Sequence, residues 1–529
     1  MTTLKGDRYR DCVTAIAIFI STFLIKIPFL WNIRNDATFR LPIIDCFEFN
    51  IWALRILHQH FLWTSIQNHT PLYAYFVALV YKIFGYNTFY IAIIQYALFS
   101  ASTALLYFIV VRLFNKTTAL ITCIVMTFYW FFIYVQSFLY SENLSLFLNI
   151  FLVWCLLFTK DTLKKYLACG IIFGLSVVCR PEILLFAVFI LLWFVARKIP
   201  VKKIIKFYSI FLFALTLIIF PVILRNYVVS GDVMLRSQMG ANIYLGNNPE
   251  LRGTNIDLEI GDKWRKFITM PHRALDKRAS LTECDAYFIS ETIKIIQNDP
   301  VEWFRLIAFK IFSVLSGREF LRTEDVYVFK NYILGTPFCI IPTKAIFLFG
   351  IIGLMFSFRK PKDFLLLYIL LASAAIIIFF PIKTRYLMSV FPFVVAFSSF
   401  GAFKFYNALI NKKFPAIILM IVLIAFFNFL SFYNPLDIKV PDLSETYYAL
   451  GKNYYFLGEN EKAKELYISS LSLNPKEGSV YNDLGLVYRN AGDHKKALKY
   501  FKKAIELDDT NDLAKKNHHQ SLTHLNKTQ

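Results

Sequence analysis

The sequence predicts an all-α protein: a polytopic membrane helical bundle of about eleven spans, followed by a small soluble α-helical repeat solenoid. Three observations carry this. Hydrophobic residues make up 57% of the 529 residues and charged residues 18%, where soluble chains average about 45–50% apolar and about 25% charged. Apolar runs approaching the roughly 20 residues of a transmembrane helix recur from about residue 12 to about residue 433. From about residue 444 the pattern becomes mixed-charge and repeats at an offset of 34 residues.

The first apolar run covers roughly Cys12 to Trp31 and reads as a retained span, because no small-residue cleavage site follows it. Further runs lie near 88–111, 117–135, 139–158, 166–180, 182–196, 204–224, 337–357, 363–381, 386–403 and 414–433. The 166–180 and 182–196 runs are short enough to form a tight hairpin. Lys and Arg concentrate in cytoplasmic loops. An N-terminus inside places six basic clusters on that side, from Lys5, Arg8 and Arg10 to Lys404, Lys412 and Lys413. The arrangement holds only if the apolar stretches near 71–85 and 303–316 do not cross. Two long segments, about 32–87 and about 226–336, then lie outside, and an odd number of spans puts the C-terminal segment outside as well.

The formal charge of +21 fits this topology. Residues 434–529 hold 14 basic and 13 acidic residues, so the membrane portion carries +20. The six cytoplasmic clusters hold 19 basic against 4 acidic residues, a net of +15. Most of the charge is a topology signal, not a nucleic-acid footprint.

The expected organisation is a membrane domain over 1–433, a linker at 434–443 and repeats with a capping helix over 444–529. Tyr447, Leu450-Gly451, Tyr454, Ala463 and Tyr467 recur as Tyr481, Leu484-Gly485, Tyr488, Ala497 and Phe501; Pro475 closes the first unit, and the second continues through Ala504 to Asp509 in place of the Pro. The period and positions resemble the tetratricopeptide repeat, in which small residues sit where helices cross and aromatics fill the space opposite. Such an array suits a protein partner; it equally suits a structural plug or dimer contact.

The outer segments hold the chemistry. In Ile44-Asp45-Cys46-Phe47-Glu48-Phe49 the two carboxylates stand three residues apart, on one face of a helix. Asp45 there suits a general base that deprotonates an acceptor hydroxyl; the pair also suits helix capping by Asp45 with a solvated Glu48. Next come Asn68-His69-Thr70-Pro71-Leu72-Tyr73, Lys82-Ile83-Phe84-Gly85, Ser141-Glu142-Asn143, Cys179-Arg180-Pro181-Glu182, Pro221 to Arg225-Asn226-Tyr227, Gly246-Asn247-Asn248-Pro249 and Lys383-Thr384-Arg385-Tyr386. The Gly-Asn-Asn-Pro piece reads as a turn that shapes its loop.

This ordered series, spread over about 400 residues, resembles the GT-C type membrane glycosyltransferases, in particular the protein mannosyltransferase and aminoarabinose transferase-like branch. The resemblance implies a polyprenyl- or dolichyl-phosphate monosaccharide as donor and inverting transfer on the extracytoplasmic or lumenal face. The acceptor is a protein, lipid or glycan, and the membrane is a bacterial inner membrane or the endoplasmic reticulum. Asp45 matches the family's catalytic carboxylate. Relatives carry two adjacent acids where this chain has Asp45-Cys46, with the next acid at Glu48. His69 sits where relatives place an element near the active site. A lipid-phosphate leaving group needs cations, and Arg180, Arg225 and Arg385, with Lys383, fall at outer span ends. Snorkelling to lipid headgroups suits any one of them equally well, but the group of them less well. Glu142 pairs with one of these arginines or contacts the acceptor.

No HxxxH or HExxH spacing is present, so no metal ligands are assigned, although a divalent cation remains compatible with the carboxylates and histidines. Cys46 and Cys284 both fall outside and could form a disulfide. A transporter would place ionisable groups inside its spans; only Lys26, near the outer end of the first, stands out. A membrane-anchored repeat scaffold leaves the two long outer segments unexplained.

Overall fold

A computed structural model describes residues 2–35, 37–40, 42, 44–58, 69–251, 266–317, 341–357, 364–432, 443–508 and 511–528. Among the described residues all regular structure is helical. The long helix α1 (Thr2–Ile33) leads through α2 (Ala37–Arg40) into α3 (Ile44–His58), which carries Asp45 in its first turn. Then follow α4 (Leu72–Phe84), α5 (Thr88–Leu113), α6 (Lys116–Phe128), α7 (Trp130–Ser137), α8 (Glu142–Phe158) and α9 (Leu163–Cys179).

Side-chain caps fix several of these starts. The oxygens of Asn87, Asn115 and Thr162 accept from the backbone N–H of Phe89, Thr118 and Lys165, satisfying donors that the first turn leaves unpaired. A 3-10 turn (Pro181–Leu185) joins α9 to α10 (Phe186–Ala196), so the expected short hairpin is present with Arg180 at its tip. Helix α11 (Val201–Ser230) closes this half.

The segment after α11 contributes α12 (Met239–Asn247), α13 (Met270–Ala274), α14 (Leu281–Asn298) and α15 (Pro300–Leu315). A capping box of Ser280 and Glu283 starts α14, and the Asp299 side chain with Pro300 starts α15. Helices α16 (Thr343–Ser357), α17 (Phe364–Phe379), the short α18 (Thr384–Leu387), α19 (Phe391–Ile410) and α20 (Phe414–Phe432) complete the membrane part.

Every expected apolar run contains helix, but the helices differ in reach. Tyr9–Ile33, Thr88–Leu113, Val201–Ser230 and Phe391–Ile410 are long and apolar enough to cross a membrane. The 117–135 run is broken at Tyr129, where α6 and α7 bend by 51°, and counts as a fifth if taken as one broken span. Others are shorter: α8 and α9 have 17 residues each, about 25 Å of helix against a hydrocarbon core of about 30 Å. Apolar letters run on through breaks such as Tyr129 and Phe138 to Ser141, where the helix does not. The 71–85 stretch is an apolar helix of 13 residues and the 303–316 stretch lies in α15. Residues 252–265 and 318–336 of the segment expected outside lie beyond the described residues.

Helices α16 and α19 pack tightly because small residues face each other. A Cβ at Gly353 would collide with the Phe397 carbonyl, and one at Gly401 with the Phe349 carbonyl. Gly401→Leu is expected to separate the pair and lower the thermal midpoint of the purified protein by well over 5 °C, the scale of an overpacking penalty of a few kcal/mol; Ala402→Leu, on the same helix, serves as the comparison.

The tail forms α21 (Leu443–Phe456), α22 (Asn460–Leu473), α23 (Gly478–Asn490), α24 (His494–Leu507) and the capping α25 (Asp512–Thr528). A Cβ at Gly451 would fall 2.6 Å from the Tyr467 ring, and one at Gly485 2.6 Å from that of Phe501. The small-against-aromatic pairing read from the repeat is therefore the packing that joins each helix pair. Helix α21 also packs against α2, which brings the repeats to the segment that leads into Asp45.

Candidate active site

Helix ends distant in sequence meet in one charged cluster. Asp45 stands in the first turn of α3, Glu142 begins α8, Arg180 and Glu182 form the α9–α10 tip, and Lys383 and Arg385 flank the start of α18. Arg385 donates through Nη2 to Asp45 Oδ2, and its Nε lies 3.8 Å from Glu142 Oε1. Arg180 Nη1 donates to the same Glu142 oxygen at 2.7 Å, and its Nε lies 3.4 Å from Glu182. Arg236, from the loop after α11, reaches Glu182 at 2.9 Å. Asp45, Glu142, Arg180, Lys383 and Arg385 are buried, and the side chains of Glu182 and Arg236 are only 5% and 10% exposed.

On the other side of Asp45, His69 Nε2 lies 3.6 Å from Asp45 Oδ1 and 3.2 Å from Glu48 Oε2. The imidazole stacks on Phe49 with ring centroids 4.7 Å apart. Glu48, 40% exposed, is therefore partnered and not simply solvated, and Asp45 is engaged by side-chain charges beyond any capping role. Tyr386 supplies an aromatic floor: Arg180, Lys383 and Arg385 lie over its ring at 4.9, 5.6 and 5.7 Å. Such cation–π contacts let like charges gather.

Two pKa directions follow. Burial alone would lower the His69 pKa, but Asp45 and Glu48 outweigh it and push it up to about 9. The imidazole is then an imidazolium at neutral pH. Burial would raise the Tyr386 pKa, yet Lys383, Arg385, Arg180 and Arg236 hold it below the ordinary phenol value. With His69 charged, the cluster holds five cations (His69, Arg180, Arg236, Lys383, Arg385) against four carboxylates (Asp45, Glu48, Glu142, Glu182), a small excess suited to an incoming anion.

A raised folded-state pKa stabilises fully below the unfolded value near 6.5, and that contribution is lost as pH rises through about 9. The thermal midpoint of the wild type, relative to that of His69→Gln, is expected to fall between about pH 6.5 and 9.5. A constant difference across that window would contradict the imidazolium.

Of the residues expected from the sequence, Asp45, Glu48, His69, Glu142, Arg180, Lys383 and Arg385 come together. Arg225 does not join them. Helix α11 runs on to Ser230, and within it Arg225 donates to Asn226 Oδ1 at 2.7 Å. Glu182 and Tyr386 were visible as letters of the Arg-Pro-Glu and Arg-Tyr pieces but carried no assignment; Arg236 had no motif at all. Cys46 is buried and Cys284 half-buried, and no disulfide joins them, so the expected pairing is not formed. Among the described residues no group of three or more His, Cys, Asp or Glu is arranged to hold a metal ion.

The Gly-Asn-Asn-Pro piece is more than a turn. It ends α12, where Asn247 Nδ2 donates to the Phe379 carbonyl at 2.9 Å and its Oδ1 accepts from Trp303 Nε1 at 2.9 Å. The segment after α11 is thereby fastened to the end of α17, just ahead of Lys383. Lys310 reinforces the same end, its Nζ donating to the carbonyls of Ile377, Ile378 and Phe380 at 2.8–3.1 Å.

The residues from Asn68 through His69, Glu142 and Arg180 to the middle of α11 fall in one continuous stretch. Residues 68–224 match the dolichyl-phosphate-mannose-protein mannosyltransferase family. Residues 442–510 match the tetratricopeptide repeat. Among curated proteins, mouse (Mus musculus) Superkiller complex protein 3 is 38% identical over 85 residues, 15% of this chain and 5% of its own length.

Among solved structures, the archaeal oligosaccharyltransferase AglB from Archaeoglobus fulgidus, in complex with an inhibitory peptide and a dolichol-phosphate, is similar at 14% identity and a TM-score of 0.42, over 85% of this chain and 59% of that one. ArnT from Cupriavidus metallidurans bound to undecaprenyl phosphate is similar at 12% identity and a TM-score of 0.36, over 73% and 77% of the two chains. The chain thus spans a small part of the curated relative and under two thirds of AglB.

Proposed function

We propose that the protein is an integral-membrane glycosyltransferase. It moves a monosaccharide from a polyprenyl- or dolichyl-phosphate donor to an acceptor hydroxyl on the extracytoplasmic or lumenal face. The observation that carries this reading is the buried Asp45 carboxylate, held between Arg385 and His69 in a cluster with excess positive charge; the mannosyltransferase match over 68–224 supports it.

In this mechanism Asp45 accepts the proton of the acceptor hydroxyl as its oxygen bonds to the anomeric carbon. The bond from that carbon to the phosphate oxygen breaks on the opposite face, which inverts the configuration. The lipid phosphate leaves with the electron pair, and Arg385, Arg180 and Lys383 stabilise its charge. His69 and Glu48 hold Asp45 from the other side. Arg236 locks Glu182, which keeps the Arg180 end of the cluster in place. Mannose is the favoured sugar, from the description of the matching family.

Room for the lipid supports the reading. An apolar cavity of about 300 Å³ lies between α15, α16, α17 and α19, lined by residues such as Ile311, Phe347, Leu354 and Leu370. It shares Val314, Phe347 and Ile377 with a smaller pocket that also takes in Lys383, Thr384 and Tyr386. A prenyl chain in the cavity would present its phosphate to Lys383.

We propose further that the repeats lie on the same side as the cluster and recruit a protein acceptor, a reading supported by the packing of α21 on α2. Removing residues 443–528 is expected to spare transfer to a minimal hydroxyl acceptor and to reduce transfer to a protein acceptor. Unchanged protein glycosylation after that truncation would count against recruitment. The function itself is tested by incubating the purified chain with radiolabelled polyprenyl-phosphate mannose and an acceptor mixture. No transfer from any polyprenyl-phosphate sugar would overturn it.

A further inference from the structure

An uncharged polar node lies directly beneath the charged cluster. Gln95 of α5 is almost wholly buried, and its amide makes four hydrogen bonds. Nε2 donates to the carbonyls of Gln136 and Phe138 at 2.8 and 2.9 Å. Oε1 accepts from the Tyr73 hydroxyl at 2.5 Å and from Asn143 Nδ2 at 3.1 Å. These partners belong to α4, to the end of α7 with its exit, and to the first turn of α8. The set extends inward, where the Gln136 carboxamide oxygen accepts from the buried Lys26, whose ammonium lies 3.4 Å from the centroid of Phe99. Lys26 is therefore committed to α7 and not lodged at the outer surface. A terminal amide supplies two N–H donors and a two-lone-pair acceptor from one group, a set that no hydroxyl, carboxylate or apolar side chain reproduces.

Both Tyr73 and Asn143 stand one step from the charges. Asn143 follows Glu142 in the chain. The Tyr73 ring meets Phe49 edge-on at 4.8 Å, and Phe49 stacks on His69 at 4.7 Å. The node thus ties the His69–Asp45 side of the cluster to the Glu142–Arg180 side through a single amide. We propose that Gln95 is a positioning residue for sugar transfer, fixing the spacing between these two sides. The proposal rests on the transferase reading above. Gln95 touches none of the charged groups and acts only through Tyr73 and Asn143.

The test uses the full chain in detergent or nanodiscs and compares Gln95→Met, Gln95→Glu and Ser102→Ala. Ser102 is a buried residue of the same helix whose hydroxyl bonds only within it, to the Leu98 carbonyl. Donor and acceptor kinetics are measured together with the titration of His69, followed by NMR of ring-labelled histidine and assigned by its loss in His69→Gln.

For Gln95→Met, kcat is expected to fall about 10- to 100-fold, the scale of a misplacement of about 1 Å. The donor KM should hold within about threefold, and the His69 titration should move down towards that of a free imidazole. Gln95→Glu keeps an acceptor oxygen but loses both donors and should show the same fall in kcat; it gives the kinetic reading if Gln95→Met does not fold. Ser102→Ala should match wild type.

A Gln95 variant that matches Ser102→Ala in kcat and His69 titration, or that loses only thermal stability, would overturn the proposal. If wild type transfers no sugar, the functional reading fails on its own. The titration then still decides whether Gln95 sets the cluster.

Discussion

Asp45→Asn is expected to lower kcat for transfer from a polyprenyl-phosphate sugar by about 10³-fold, within the 10²–10⁴ range of a lost general base. The substitution preserves shape, and its amide oxygen still accepts a hydrogen bond from Arg385, so the fold should persist. What disappears is a carboxylate able to take the acceptor proton. The donor KM should change little, because the phosphate-facing cations are untouched. Two controls sharpen the reading. Glu48→Gln, at the more exposed edge of the cluster, should cost no more than about tenfold, since Glu48 touches His69 and not Arg385. Asp45→Glu should recover part of the lost rate by restoring the base at a poorer distance. Steady-state transfer kinetics over a range of acceptor concentrations would check this, and full activity in Asp45→Asn would remove Asp45 from the chemistry.

Substitution of Arg385 is expected to have the second large effect, split between stability and rate. Arg385 is 6% exposed and pairs with Asp45, itself 3% exposed, while facing Glu142. Arg385→Met takes the guanidinium partner from the buried Asp45 while Glu142 keeps Arg180, and breaking a buried pair by removing one partner costs about 3–5 kcal/mol. The purified variant should melt well below wild type or fail to accumulate. Arg385→Lys separates the two effects. It keeps a cation near Asp45 but loses the planar fork that grips a phosphate through two N–H groups. That variant should fold, yet transfer about 10²-fold more slowly, in line with removal of one transition-state donor. Thermal melts and transfer assays on both variants check this. Arg385→Lys with wild-type kinetics would show that Arg385 serves only to pair Asp45.

Much of the site was legible because its residues lie where hydropathy meets polarity. Glu142, Arg180 and Arg385 each sit at the end of an apolar run, where a charge stands out, and Asp45 stands three residues from Glu48 on one helix face of the first polar segment. Arg225 stood out by the same criterion, but an apolar run that ends does not end its helix: α11 continues past Arg225 to Ser230, and Arg225 bonds its neighbour Asn226. Arg236 was not legible, since a loop arginine carries no periodic signal and its value comes from Glu182, 54 positions away in the sequence. Gln95 was hidden differently. A single glutamine in an apolar helix reads as tolerated noise until Tyr73, Gln136, Phe138 and Asn143 are seen to converge on it. The break at Tyr129 was equally invisible, because hydropathy counts apolar letters without regard to the path they take.

The sequence alone determined the helical membrane architecture, the position of the tetratricopeptide tail and most of the charged residues at the site. These are properties of composition, period and local boundary, and they are written within a window of a few dozen residues. Only the tertiary structure decided which charges share a partner, which arginine stands apart, and that an uncharged amide joins the two sides of the cluster. The physical reason is range. A carboxylate and a guanidinium interact strongly only within a few ångströms in a buried site, and whether residues 45, 142, 180 and 385 come that close depends on helix crossings such as Gly353 against Gly401, which no local pattern contains.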